Sequence, residues 1–207
     1  MPKVNQEHIE KRKDEILKAA KRVFLRKGFE PTTMQDVVEE SGMSRGGVYQ
    51  YFSSTEEMIQ ALHVRNLQEL PGILEKVTAE NKTIWEAVKA LVDYFSDDEN
   101  EDAEDSFGIV MFEYSVISWR NENRRKFIIE NSQIALNQFV DLFQKGVDRG
   151  EFRPLQPLQA IAVMFAMITD GITLYSSITD PKMVYVKEDL EGLKLYLRTV
   201  LQVREEA

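Results

Sequence analysis

Between Thr32 and Met58 the chain reads TTMQDVVEESGMSRGGVYQYFSSTEEM, and its polar residues are of types that grip phosphates and base edges. Arg45 carries a forked guanidinium that matches O6 and N7 of guanine, or equally a phosphate. Gln50 offers an amide that bonds to adenine or to a phosphate, and Tyr49 a hydroxyl that reaches a phosphate. Thr33 and Ser44 put hydroxyls at expected helix starts, where free backbone N–H groups favour anions. Gly46 and Gly47 are poor helix formers, each costing about 1 kcal/mol relative to alanine. Their small size either lets the segment approach bases closely or merely loosens its first turn. Val48 and Phe52 read as core.

The positioning elements follow from local signals. Thr33 is a good N-cap, and Asp36 three residues on makes a capping box. Val37 and Val38 give the first short helix an apolar side. Gly42 supplies a turn in which positive φ is cheap only for glycine. Ser44 caps a second helix, expected over Arg45–Phe52. Two short helices joined by such a turn are a helix-turn-helix, whose second helix enters the major groove of DNA. Ahead of it, residues 7–27 carry Ile9, Ile16, Ala19, Ala20, Val23 and Phe24 at helical spacing. Gly28 fits the position after that helix, Phe29 folds back on its last turn, and Pro31 blocks continuation. Ser54 and Glu57 suggest another capping box, opening a helix that Pro71 kinks or ends.

Taken together, Lys27-Gly28-Phe29, Thr32-Thr33, Gly42, Ser44, Gly47-Val48-Tyr49, Tyr51-Phe52 and Glu56-Glu57 resemble the N-terminal domain of the TetR family of bacterial transcriptional repressors. The resemblance covers residues 9–63. It implies an all-α homodimer that releases DNA when a ligand occupies the C-terminal domain. It also implies that Tyr49 and Tyr51 lie near DNA, although Tyr51 equally suits the cover of the small core. One position departs: where the family commonly has a phosphate-touching lysine before the Glu-Glu pair, this chain has Thr55. A hydroxyl bonds to phosphate without releasing counterions. Affinity is then lower, or Lys11, Arg12 and Lys13 compensate.

Charge is divided unevenly along the 207 residues. Residues 1–55 hold ten Lys/Arg against eight Asp/Glu, whereas the remainder hold sixteen against twenty-seven, for a net −9. Salt screens charges beyond about 10 Å, so an acidic remainder does not forbid a basic DNA-facing end. The plainer alternative is that these basic residues only solvate the first helix. The absence of cysteine excludes disulfides and Cys-based zinc sites. The two histidines, His8 and His63, have no serine or carboxylate at a recognisable motif spacing, and no Gly-Lys-Ser/Thr follows the glycines. An enzyme is therefore not expected, nor a cofactor. Residues 97–105, DDENEDAED, read as a solvated loop; they lack the glycine and terminal glutamate of a calcium loop, so no metal is expected. We find no signal peptide and no apolar run of membrane-spanning length, and expect a soluble, cytoplasmic protein.

Further helices are expected over 83–95, 106–120, 123–149, 157–178 and 187–204, giving an all-α chain with a DNA-binding domain over 1–55 and a ligand-binding and dimerisation domain over 56–207. Trp85, Phe107, Met111, Phe112, Trp119, Phe127, Met164, Phe165 and Met167 are candidates to line a pocket for a small lipophilic effector, although large apolar residues are first of all core. Asp93, Glu113 and Asp170 are acids set in apolar segments. Residues 157–178 are apolar on nearly every side, which demands burial on every side. Ala162, Phe165, Ala166, Leu193, Tyr196, Leu197 and Val200 are the candidate homodimer contacts. The expected function is a ligand-responsive repressor on a palindromic double-stranded operator. The alternatives are a helical ligand-binding or scaffolding protein without operator binding and, third, a helical enzyme.

Overall fold

The computed structural model describes residues 2–94, 107–180 and 183–204, with side chains from residue 6 onward. Among these are nine α-helices and no strand: α1 (Pro2–Lys27), α2 (Met34–Ser41), α3 (Arg45–Tyr49), α4 (Thr55–Glu80), α5 (Ile84–Tyr94), α6 (Phe107–Ser118), α7 (Glu122–Asp148), α8 (Leu158–Ile178) and α9 (Val186–Val200). Pro71 lies inside α4 and does not end it. The acidic run 97–105, together with Phe95 and Pro181, falls outside the described residues.

The chain divides into two compact units. One combines residues 1–66 with 102–125, the other 67–101 with 126–207. The division is not a single cut after residue 55, because α6 joins the N-terminal helices. Ile16, Ala20, Val23 and Phe24 of α1 supply the core of the first unit, with Val37, Val48, Phe52, Met58, Ile59, Val110 and Tyr114. Val48 and Phe52 thus point inward, as expected. Phe29 stands edge-on to Tyr114, with ring centroids 4.9 Å apart.

The second unit is built on a larger hydrocarbon core. Val88 and Leu91 of α5, Leu142 and Phe143 of α7, Ile161 and Phe165 of α8, and Leu193 and Leu197 of α9 meet in one cluster. Phe165 is edge-on to Phe139 at 4.9 Å and to Phe143 at 6.4 Å. This packing takes up most of the residues expected at a homodimer contact. Ala162, Phe165, Leu193, Leu197 and Val200 are buried within the chain's own core, and Ala166 and Tyr196 are half-buried. Five of the seven thus face the chain's own interior. The expectation that no segment is apolar enough to cross a membrane needs correction: α8 passes by length and composition alone. Its inner face is taken up by the core, while Val163, Met164, Met167, Tyr175 and Ile178 remain exposed.

Candidate nucleic-acid interface

Each corner of the helix-turn-helix is closed by the residue that the sequence suggests. Thr33 Oγ1 accepts the Asp36 amide at 3.2 Å, and the Asp36 carboxylate accepts the Thr33 amide at 2.9 Å and its hydroxyl at 2.8 Å. Gly42 takes φ 66°, the left-handed conformation that ends α2. Ser44 Oγ accepts the Gly47 amide at 3.1 Å. A Cβ on Gly47 would stand 3.2 Å from that oxygen, so glycine there gives the cap room. A Cβ on Gly46 would meet nothing within 4 Å, which leaves that side of the residue open to approach.

Regular helix α3 ends at Tyr49, short of the expected Phe52. The next turn continues through bonds from the Gln50 amide to Gly46 O at 3.0 Å and from the Phe52 amide to Val48 O at 3.1 Å. Arg45, Gly46, Tyr49 and Gln50 are exposed together, whereas Gly47 and Tyr51 are half-buried and Val48 faces the core. The Arg45 guanidinium lies 5.2 Å from the Tyr49 ring centroid, a cation–π contact that presents both groups on one face. Thr55 is the half-buried first residue of α4. Ser54 Oγ accepts the Glu57 amide at 3.1 Å, while the Glu57 carboxylate reaches the Ser53 amide at 2.7 Å, one residue earlier than a strict capping box.

The basic stretch of α1 looks different once folded. Lys27 pairs with Asp36, Arg22 and Arg26 with Glu40 at 2.7 and 3.1 Å, Lys18 with Asp14 at 3.0 Å, and Arg12 with Glu15 at 2.8 Å. The Lys27 ammonium, then the Thr33 amide and hydroxyl, hold the Asp36 carboxyl down at about 2. Arg22 and Arg26 likewise lower Glu40, and Arg65 and Lys18 lower Asp14. Much of the positive charge counted in the sequence is therefore compensated within the unit.

The nine candidate ligand-lining residues divide between the units. Phe107 is buried, Met111 half-buried, and Phe112 and Trp119 exposed in the first. In the second, Trp85 and Phe127 are half-buried, Phe165 is core, and Met164 and Met167 are exposed. A cleft of about 240 Å³ in the first unit is lined by Phe24, Leu25, Gly28, Ile109, Val110, Phe112 and Glu113, so Phe112 alone of the nine reaches it. Two of the three embedded acids have structural partners: Asp93 pairs with Lys194, and Glu113 accepts the amides of Phe29 and Glu30. Burial pushes the Asp170 carboxyl up and the His63 imidazole down. The sequence reading missed Glu113 as a backbone acceptor and Arg124, which bonds to Glu56 at 2.7 Å. Sequence separations of 84 and 68 residues leave no local signal for either contact.

Comparison with known proteins agrees with this geometry. Residues 16–62 match the family model described as bacterial regulatory proteins, tetR family, and residues 90–187 match one described as tetracyclin repressor-like, C-terminal domain. The chain is 47% identical over 204 residues to the uncharacterized HTH-type transcriptional regulator YfiR of Bacillus subtilis (strain 168), covering 99% of this chain and 98% of that protein. It is 26% identical over 157 residues to the HTH-type transcriptional repressor KstR2 of Mycolicibacterium smegmatis, covering 69% and 68%. The structure of FadR from Bacillus subtilis in complex with stearoyl-CoA superposes with a TM-score of 0.72 at 20% identity, covering 87% of this chain and 95% of that one. The SmeT–triclosan complex gives 0.71 at 20% identity, covering 94% and 92%. At such identities the structural likeness shows the fold alone.

Proposed function

The chain belongs to the TetR family of bacterial transcriptional regulators, and from that membership we propose that it is a ligand-responsive repressor, bound as a homodimer to a palindromic operator and released by a small lipophilic effector. It is a regulator rather than an enzyme. The observation that carries the proposal is the single exposed face formed by Arg45, Gly46, Tyr49 and Gln50, held by caps at Ser44 and Gly42. Arg45 and Gln50 read base edges on this assignment, while Thr33, Ser44, Tyr49, Tyr51 and Thr55 lie toward the backbone. Gly46 and Gly47 keep the approach clear. Its site of action is the chromosome, in the cytoplasm.

Self-association is assigned to the outer face of α8. Val163, Met164, Met167, Tyr175 and Ile178 are exposed there, and a large apolar stripe on a soluble regulator calls for a cover. A two-fold axis makes such a stripe its own partner and sets two recognition helices about 34 Å apart. The effector reading rests on the apolar, methionine-containing helices and on the lipophilic ligands named in the FadR and SmeT structures. Release follows if the effector favours a dimer that does not fit DNA. A shift from 1:99 to 99:1 needs about 10⁴-fold preference for that state.

Binding of the DNA upstream of its own coding region, against random duplex and over a range of salt, tests the proposal. The expected result is a sequence preference, a falling log K with log salt, and release by a lipophilic compound. Equal, weak binding to every duplex would overturn the repressor reading and favour a ligand-binding protein without an operator. Release only by sugar phosphates or nucleotides would overturn the effector class.

A further inference from the structure

We infer that Glu113 is a positioning residue for operator binding: its carboxylate fastens α6 to the corner between α1 and α2, so that α6 and the helix-turn-helix move as one body. The inference rests on the DNA-binding reading above, but its structural half can be measured without DNA.

Gly28 turns the chain out of α1 with φ 81°, its own amide bonded to the Phe24 carbonyl at 2.7 Å, and the Phe29 and Glu30 amides that follow bond to Glu113 instead of α1. Both Glu113 carboxylate oxygens lie 3.1 Å from the Phe29 amide, and Oε1 lies 3.2 Å from the Glu30 amide. A carboxylate only accepts, so it matches two adjacent donors, and its charge makes such bonds roughly twice as strong as neutral ones. The fit is close. A Cβ on Gly28 would stand 2.9 Å from Glu113 Oε2, so glycine serves both the positive φ and the seat of the carboxylate.

A second clip sits beside the first. Tyr114 is fully buried against Phe29, and its hydroxyl accepts Gln60 Nε2 at 2.9 Å. Arg124 bonds to Glu56 at 2.7 Å and lies 5.7 Å from the Phe29 ring centroid and 5.8 Å from that of Tyr114. Residues 56 and 60 belong to the first turns of α4, which follows directly on the recognition segment. Through Glu113 and Tyr114, helix α6 is thus bonded to the chain on both sides of the helix-turn-helix, and Arg124 at the start of α7 adds a bond to α4. A displacement of α6 is then passed to α3 rather than absorbed at a loose joint.

Amide hydrogen exchange on the full-length protein, with Glu113→Ala and Glu113→Gln, tests this. In wild type the Phe29 and Glu30 amides should exchange slowly. Glu113→Ala should speed both by about tenfold or more while the α1 core amides from Ile16 to Phe24 keep their protection, because only local opening changes. Glu113→Gln retains one acceptor oxygen and should recover part of the protection. In parallel, Glu113→Ala should lower affinity for the upstream DNA by about fivefold or more, with Glu113→Gln between, as expected for loss of a charge-assisted positioning bond. Unchanged exchange at Phe29 and Glu30 would overturn the fastening. Faster exchange with unchanged DNA affinity would overturn the positioning role. A wild type that binds no DNA would instead overturn the functional reading, and the exchange data would still report on the bond.

Discussion

Around α2 and α3 the corners are closed by carboxylates: Asp36 on Thr33, Glu57 on Ser53, Glu113 on Phe29 and Glu40 on two arginines of α1. In the second unit carboxylates also cap the start of α5, where Glu86 accepts the Lys82 and Thr83 amides and Glu151 the Trp85 amide, but the turn after α7 is packed by hydrocarbon. There Phe152 packs where a side chain on Gly146 would be, with the missing Cβ only 2.2 Å from its ring. Charge-assisted bonds are directional and fix orientation, which suits a small unit that presents the Arg45, Tyr49 and Gln50 side chains on one face. Hydrophobic burial is non-directional and tolerates repacking, which suits the larger hydrocarbon core of the second unit. The contrast predicts different responses to substitution, salt and acid in the two units.

Core truncation in the second unit should have the largest effect. Phe165 is 1% exposed between two rings, so Phe165→Ala should cost about 3–5 kcal/mol in denaturant unfolding. Two residues along the same helix Met167 is 64% exposed, and Met167→Glu should leave the fold intact while converting the dimer to monomer in sedimentation at micromolar concentration. If Met167→Glu stayed dimeric, the outer face of α8 would not be the interface.

The carboxylate clips should show in acid. Asp36 titrates at about 2 in the folded chain against an ordinary 3.8. A lowered folded value means that the unfolded chain binds the proton first, so the stability from Asp36 is whole above pH 3.8 and is lost as pH falls toward 2. Asp36→Asn should flatten that part of the stability profile, and side-chain NMR should find the low titration directly. An Asp36 titration near 3.8 would remove the Lys27–Asp36–Thr33 clip from the account. The smallest effect concerns Thr55. Thr55→Lys adds a cation at the start of α4 and should steepen the slope of log K against log salt by about 0.9, on operator and random DNA alike. An unchanged slope would mean that this helix end does not meet the backbone.

What the sequence made legible was local. Thr33, Gly42 and Ser44 act within three residues of the groups they cap, so their type and spacing sufficed for the helix-turn-helix. The faces of α8 were not legible in the same way. With Val163, Met164, Phe165, Ala166 and Met167 in succession, no polar side marks the outside, and the inward position of Phe165 depends on Phe139 and Phe143 of another helix. For the same reason five of the seven residues expected at a self-association surface lie in the core. Basic residues of α1 were counted as free charge because Glu40 and Asp36, which compensate several of them, lie on a different helix. Glu113 read as one acid among apolar neighbours; its partners are backbone amides, which leave no trace in residue type.

Selection of binding sites from a random duplex library, run with wild type and Arg45→Ala, tests the central claim most directly. Wild type is expected to enrich a two-fold symmetric sequence with half-sites about one helical turn apart. Arg45→Ala, with native circular dichroism, should lose about 1–3 kcal/mol on that sequence and relax preference at one base pair in each half-site. Enrichment of no symmetric sequence by wild type, or full-strength selection of the same site by a folded Arg45→Ala, would contradict the assignment of α3 as the reading helix.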